Sequence, residues 1–158
     1  MDEAKFARKA ECIANLYSSP QHLKYLEYVR CVWVVDTVYR YGSYIMYGRR
    51  VDGNLTLGED IADVGGLDIS HVAFQRAVQE RYSRLPTQLE QQIYFTAAAQ
   101  NWCMKEKQKE ALLDIITDEH APERVRVDGA MSQLPAFARA FGCPADSPMN
   151  PKQRCDMW

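Results

Sequence analysis

Histidine is scarce in this 158-residue chain, which holds only His22, His71 and His120. None is followed by glutamate and none lies four residues from another. The His-Glu-x-x-His pattern, which sets two imidazoles and a general base around a catalytic zinc on one helix face, is therefore absent. Charge of one sign is lacking too. The 19 basic and 21 acidic residues are well mixed and leave a net charge of −2, which excludes the basic stripe of a nucleic-acid binder. No apolar run can span a membrane, because Val29 to Tyr47 is interrupted by Arg30, Asp36 and Arg40. Met1-Asp2-Glu3 opens acidic with no apolar segment behind it, so no signal peptide is expected within this sequence. There is no internal repeat and no low-complexity tract.

What is present is ordinary globular composition, 47% hydrophobic and 25% charged, in a chain long enough for one domain with a core. Five cysteines point to an oxidising compartment, and the odd number leaves one over. Phe6, Ala10, Ile13 and Tyr17 recur at helical spacing, so residues 3–17 read as an amphipathic helix that Ser18-Ser19-Pro20 ends. For residues 21–51 periodicity does not decide: Val32-Trp33-Val34-Val35 reads as a strand or as part of a helix. A helix is expected from about Leu57 to Arg81 and another over 87–104, with Leu89, Ile93 and an aromatic face toward the core. The alternating charges from Lys105 to Glu110 read as a solvated helix surface. Leu112, Ile115 and Ile116 mark a short helix, and Arg124-Val125-Arg126-Val127 alternates like a strand. Ser132 to Phe141 reads as a last helix, with Pro135 in its first turn and Gly142 at its end. The fold class is mainly α, with little strand.

The stretch from Gly53 to Asp68, GNLTLGEDIADVGGLD, carries the chemistry. Glu59 and Asp63 lie four apart, which stacks two carboxylates on one helix face. One acid can then bind a metal while the other orients a second ligand from behind. Ala62, Gly65 and Gly66 are small enough for another element to approach. The plainer reading is a capping box, Thr56-x-x-Glu59, with Asp60 and Asp63 as ordinary acids near a positive helix end. Asn54-Leu55-Thr56 is in addition an N-glycosylation acceptor pattern, whose sugar would crowd this helix. His71 lies twelve residues beyond Glu59, roughly 18 Å along a continuous helix, and cannot share an ion with it. Both His71 and His22 read as surface or satisfied histidines, and His22 stays open as a ligand.

The Glu59 segment resembles the E-x-x-[AG]-D third-ligand motif of the neprilysin-like zinc metallopeptidases, the family of neprilysin and endothelin-converting enzyme. Further segments are similar to the same family in order and spacing. They are Tyr94 to Cys103 with its Ala-Gln-x-Trp-Cys ending, Thr117-Asp118-Glu119-His120-Ala121-Pro122 followed by Arg126 and Gly129, and the tail from Met149-Asn150-Pro151 to Cys155-Asp156-Met157-Trp158. Phe6 to Tyr17 is a weaker match. The resemblance implies Glu59 as a zinc ligand and Asp63 as the acceptor that orients a zinc-bound histidine. It implies His120 as a donor to the oxyanion formed when water attacks a peptide carbonyl, and Arg126 as a clamp on a substrate backbone carbonyl. It also implies a Cys12–Cys155 disulfide. Counterparts of Cys103 and Cys143 pair with cysteines this chain lacks, and Cys31 has no evident counterpart. Strand alternation leaves Arg124 as a competitor for the role of Arg126.

By this resemblance the chain is the C-terminal half of a zincin-type catalytic domain. Residues 1–158 form a single partial domain, with 21–51 as an atypical insertion or a mispredicted segment and an N-terminal half missing. The complete enzyme is expected to use zinc, to cleave peptides on the amino side of hydrophobic residues, and to be extracellular or a cell-surface ectodomain. This chain, without His-Glu-x-x-His, is expected to be inactive alone. The alternative is a non-catalytic secreted interaction or decoy protein that keeps the scaffold.

Overall fold

The computed structural model describes residues 3–18, 49 and 51–155. His22, Cys31 and the segment 21–51, apart from 49 and 51, lie outside the described residues. Six helices are described and no strand: α1 (Glu3–Ser18), α2 (Leu57–Tyr82), α3 (Gln88–Gln100), α4 (Gln108–Thr117), α5 (Glu123–Gln133) and α6 (Pro135–Phe141). The mainly α expectation holds. No described helix is long and apolar enough to cross a membrane.

The centre of the fold is α5, whose residues from Arg126 to Gln133 are all buried. Its polar side chains are accommodated one by one. The Ser132 hydroxyl donates to the Gly129 carbonyl at 2.8 Å, and Gln133 Nε2 donates to Ser132 Oγ at 2.7 Å. Gln133 Oε1 accepts from the backbone N–H of Cys155 at 2.8 Å, which ties the tail to the core. The strand expected over 124–127 is thus the first turn of this helix. Four alternating residues are too few to fix a period. Pro122 lacks only an N–H that a helix start leaves unbonded, and Glu123 suits the positive end.

Two apolar clusters flank α5. One joins Phe95 and Ala99 of α3 to Val127, Met131, Phe137 and Met149. The other joins Ile13 of α1 and Val64 of α2 to Ala121, Ala130 and Cys155. Within the second, Cys12 and Cys155 form a disulfide across a sequence separation of 143, the pairing the resemblance implied. Among the described residues, Cys103, which is exposed, and Cys143, which is buried, form no disulfide.

Several boundaries differ from the sequence reading. α3 ends at Gln100 and residues 101–107 are turn and coil, so the alternating charges straddle a helix start, with Lys105 to Lys107 ahead of α4 and Lys109 and Glu110 in its first turn. The last helical stretch is two helices broken at Leu134, because Pro135 starts α6 at its first position. Gly142 closes α6 at φ +65°, a conformation glycine adopts without Cβ strain. Leu89 and Ile93, expected in the core, are 64% and 58% exposed. α3 turns its Phe95 and Ala99 face inward instead. Ile69 and Val72 of α2 are exposed as well.

Candidate functional site

α2 and α5 pack against each other, and their contact builds the site. Arg126 reaches from α5 to the Glu59/Asp63 face of α2. Its Nε donates to Asp63 Oδ2 at 2.6 Å, and its Nη2 donates to Asp63 Oδ1 at 2.8 Å and to Glu59 Oε2 at 3.1 Å. This is a bidentate fork with a second carboxylate at its edge. The guanidinium also lies over the Trp102 ring, 4.1 Å from its centroid. Burial by itself would lower the Arg126 pKa, but the hydrogen bonds and charges of Asp63 and Glu59 outweigh it and hold the pKa above its ordinary value. The arginine is charged at every accessible pH.

Arg124 is no competitor. On a helix, residues two apart point to different sides, and Arg124 sits beside Asp128 one turn on, at 3.5 Å. Asp63, which the resemblance casts as orienting a zinc-bound histidine, has both carboxylate oxygens engaged in holding Arg126.

His120 follows α4 in the loop that leads into α5. Asp118 holds it twice: Oδ1 accepts from the His120 backbone N–H at 2.8 Å and contacts ring Nδ1 at 2.7 Å. The other ring nitrogen, Nε2, lies 3.3 Å from Glu59 Oε2. The Asp118 hydrogen bond, then the Glu59 charge, raise the His120 pKa above its usual value against the opposing effects of partial desolvation and Arg126. His120, Arg126, Glu59 and Asp63, spread over 68 positions of sequence from 59 to 126, thus form one cluster.

The capping-box reading of Glu59 does not describe its contacts. Thr56 makes no side-chain cap to the helix backbone. Its hydroxyl donates instead to Asp60 Oδ2 at 2.7 Å. Asp60 is not an ordinary surface acid either: it is 0% exposed, and its Oδ1 has no hydrogen-bond partner. Burial pushes its pKa from 3.8 to about 7, with the Thr56 hydrogen bond and Arg126 opposing and the charges of Asp63 and Glu59 adding to the rise. A true capping box occurs at Thr87 and Glu90, where the same Thr-x-x-Glu spelling starts α3. His71 is buried and satisfied, its Nε2 2.6 Å from Gln91 Oε1 and its ring stacked on Phe95.

Sequence reasoning gave no role to Asp118, Asp60 or the Trp102–Arg126 contact. The first had a readable signal, since an Asp two residues before a histidine readily turns back to its backbone N–H. The other two are set only by packing.

A cavity of about 250 Å³ opens beside the cluster, lined by Asp63, Gly66, Leu67, Ala98, Trp102, Arg126, Val127 and Met131 among others. The residues do not fit zinc by themselves. Among the described residues no group of three or more His, Cys, Asp or Glu is placed to hold a metal. Glu59 has one imidazole nearby, and both Asp63 oxygens are taken by Arg126.

Packing of α2 on α5 thus gathers Glu59, Asp63, His120 and Arg126 into one cluster, of which Asp63 and Arg126 line the cavity, and the family match makes this the C-terminal portion of a metallopeptidase catalytic domain. The sequence model of Peptidase family M13 matches residues 1–157, and the chain belongs to that family. It is 40% identical over 159 residues to human (Homo sapiens) endothelin-converting enzyme-like 1, covering 98% of this chain and 17% of that protein. It is 39% identical over 136 residues to neprilysin-11 of Caenorhabditis elegans, covering 82% of this chain and 15% of the relative. With endothelin-converting enzyme 1 of Bos taurus the identity is 40% over 125 residues, covering 77% and 17%. The chain therefore spans about a sixth of the length of the curated relatives it matches. Among solved structures it is similar to the Haemonchus galactose containing glycoprotein complex, with TM-score 0.71 and 27% identity over 99% of this chain and 24% of that one.

Proposed function

We propose that this chain is one wall of the substrate cleft of a zinc metalloendopeptidase, a single partial domain that cleaves nothing alone. In the complete enzyme, with histidine donors supplied from outside this chain, Glu59 is the third zinc ligand. Arg126 grips a backbone carbonyl of the peptide, His120 donates to the developing oxyanion, and the peptide is cut on the amino side of a hydrophobic residue. The setting is extracellular or at the cell surface.

The observation that carries this reading is the division of labour within one guanidinium. Nε and Nη2 of Arg126 are tied to Asp63 and Glu59, while Nη1 takes no part in those bonds. A fork anchored on one edge presents its remaining N–H groups at a fixed position, which is what gripping a planar carbonyl requires. Leu67, Ala98, Val127 and Met131 line the adjoining cavity, which offers an apolar side chain a place next to that carbonyl. His120 follows the same pattern. Asp118 fixes Nδ1, and Nε2, 3.3 Å from Glu59 Oε2, is the nitrogen left to serve as a donor where negative charge develops.

The test uses the longer protein and a hydrophobic peptide. Arg126→Lys keeps the charge but loses the fork, and should raise KM about tenfold or more. His120→Phe should lower kcat by about a hundredfold or more. The purified 158-residue chain should hold no zinc after dialysis and show no chelator-sensitive hydrolysis; either activity or tightly held zinc would overturn the reading.

A further inference from the structure

We infer that Asn54 carries an N-linked glycan, and that the sugar is attached before the start of α2 has folded. This rests on the extracellular reading above. Asn54-Leu55-Thr56 supplies the acceptor pattern, an asparagine amide with a hydroxyl two residues on. The Cys12–Cys155 disulfide places the chain in an oxidising compartment, where N-glycosylation also takes place.

The two ends of the pattern have opposite fates in the fold. Asn54 is exposed in the turn ahead of α2. Its backbone N–H donates to the Asp52 side chain, Oδ1, at 2.9 Å, so Asp52 and not the Asn54 carboxamide holds the turn. A glycan on that amide therefore disrupts none of the turn's bonds. Thr56 is only 3% exposed. Its hydroxyl donates to the buried Asp60 carboxylate at 2.7 Å, and its backbone N–H is bonded to the Asp52 carbonyl at 3.1 Å. An enzyme that must engage the hydroxyl and the amide together on an extended segment finds the hydroxyl only while this turn is open. In the transfer, Asn54 Nδ2 bonds to C1 of the first sugar of a lipid-pyrophosphate-linked oligosaccharide. The C1–O bond to pyrophosphate breaks, the lipid pyrophosphate leaves with the electron pair, and one Nδ2 proton passes to a base.

The experiment expresses the chain behind a cleavable signal sequence in secreting eukaryotic cells and analyses lumenal and secreted material. Because the signal sequence is supplied, the result does not depend on where the natural protein resides. That question is answered separately by locating the longer protein. The expected result is a single-glycan mobility shift, removed by an N-glycan amidase that deamidates residue 54. Asn54→Gln should abolish the shift. Thr56→Ser, which keeps the hydroxyl, should preserve it. Chains with the Cys12–Cys155 bridge closed and residue 54 unmodified throughout would overturn the assignment. For the timing, donor synthesis is blocked during a labelling pulse and then restored. Chains already oxidised should stay unmodified, and their later glycosylation would overturn the order of events.

Discussion

Asp60→Asn tests whether the buried acid beside Glu59 is a liability of the fold. Asp60 is fully buried, takes one hydrogen bond from Thr56, and leaves Oδ1 without a partner. Its pKa is pushed from 3.8 to about 7 by burial above all. A folded-state pKa above the unfolded one means that the native state binds the extra proton. Stability from this group is complete below pH 3.8, falls as the pH rises through the interval to about 7, and is flat above it. At 1.36 kcal/mol per pKa unit the loss amounts to about 4 kcal/mol. Asparagine offers the Thr56 hydroxyl the same acceptor and never ionises. In urea unfolding followed by far-ultraviolet circular dichroism, the two proteins should agree to within about 1 kcal/mol near pH 4. By about pH 8 the Asp60→Asn chain should be the more stable by about 4 kcal/mol. Titrating groups that do not interact with Asp60 are shared and cancel in this double difference. A gap between the two proteins that does not change with pH would refute the reasoning.

Two further outcomes are expected. Opening the Cys12–Cys155 bridge, by reductant or by Cys12→Ser with Cys155→Ser, releases a loop closed across 143 positions. It should cost about 5 kcal/mol in chemical unfolding, and a loss below about 1 kcal/mol would contradict the tie between α1 and the tail. The His120 ring should titrate above 6.5 in a proton NMR experiment, because the Asp118 bond favours the charged ring. The stabilisation from that contact is complete below 6.5 and is lost as the pH rises through the raised value. Asp118→Asn should bring the midpoint down, and an unchanged midpoint would remove Asp118 from the site.

The sequence by itself determined the helical class and the span of α2 nearly to the residue, because these rest on local periods. The grouping of Glu59, Asp63, His120 and Arg126 and the Cys12–Cys155 pairing came only from what the family resemblance implied. Which arginine faces the carboxylates was not legible, since four alternating residues fit a strand as well as the first turn of a buried helix. Only the packing of α5 on α2 turned Arg126 inward and left Arg124 beside Asp128. The spelling Thr-x-x-Glu occurs at both Thr56 and Thr87 and makes a cap only at Thr87, because at Thr56 the buried Asp60 captures the hydroxyl. Likewise Leu89 and Ile93 are apolar at helical spacing yet exposed, because the aromatic side of α3 is the one that α6 covers. Periodicity states that a helix has a face to bury. The partner helices, brought together from distant parts of the chain, decide which face it is and which charges must meet there.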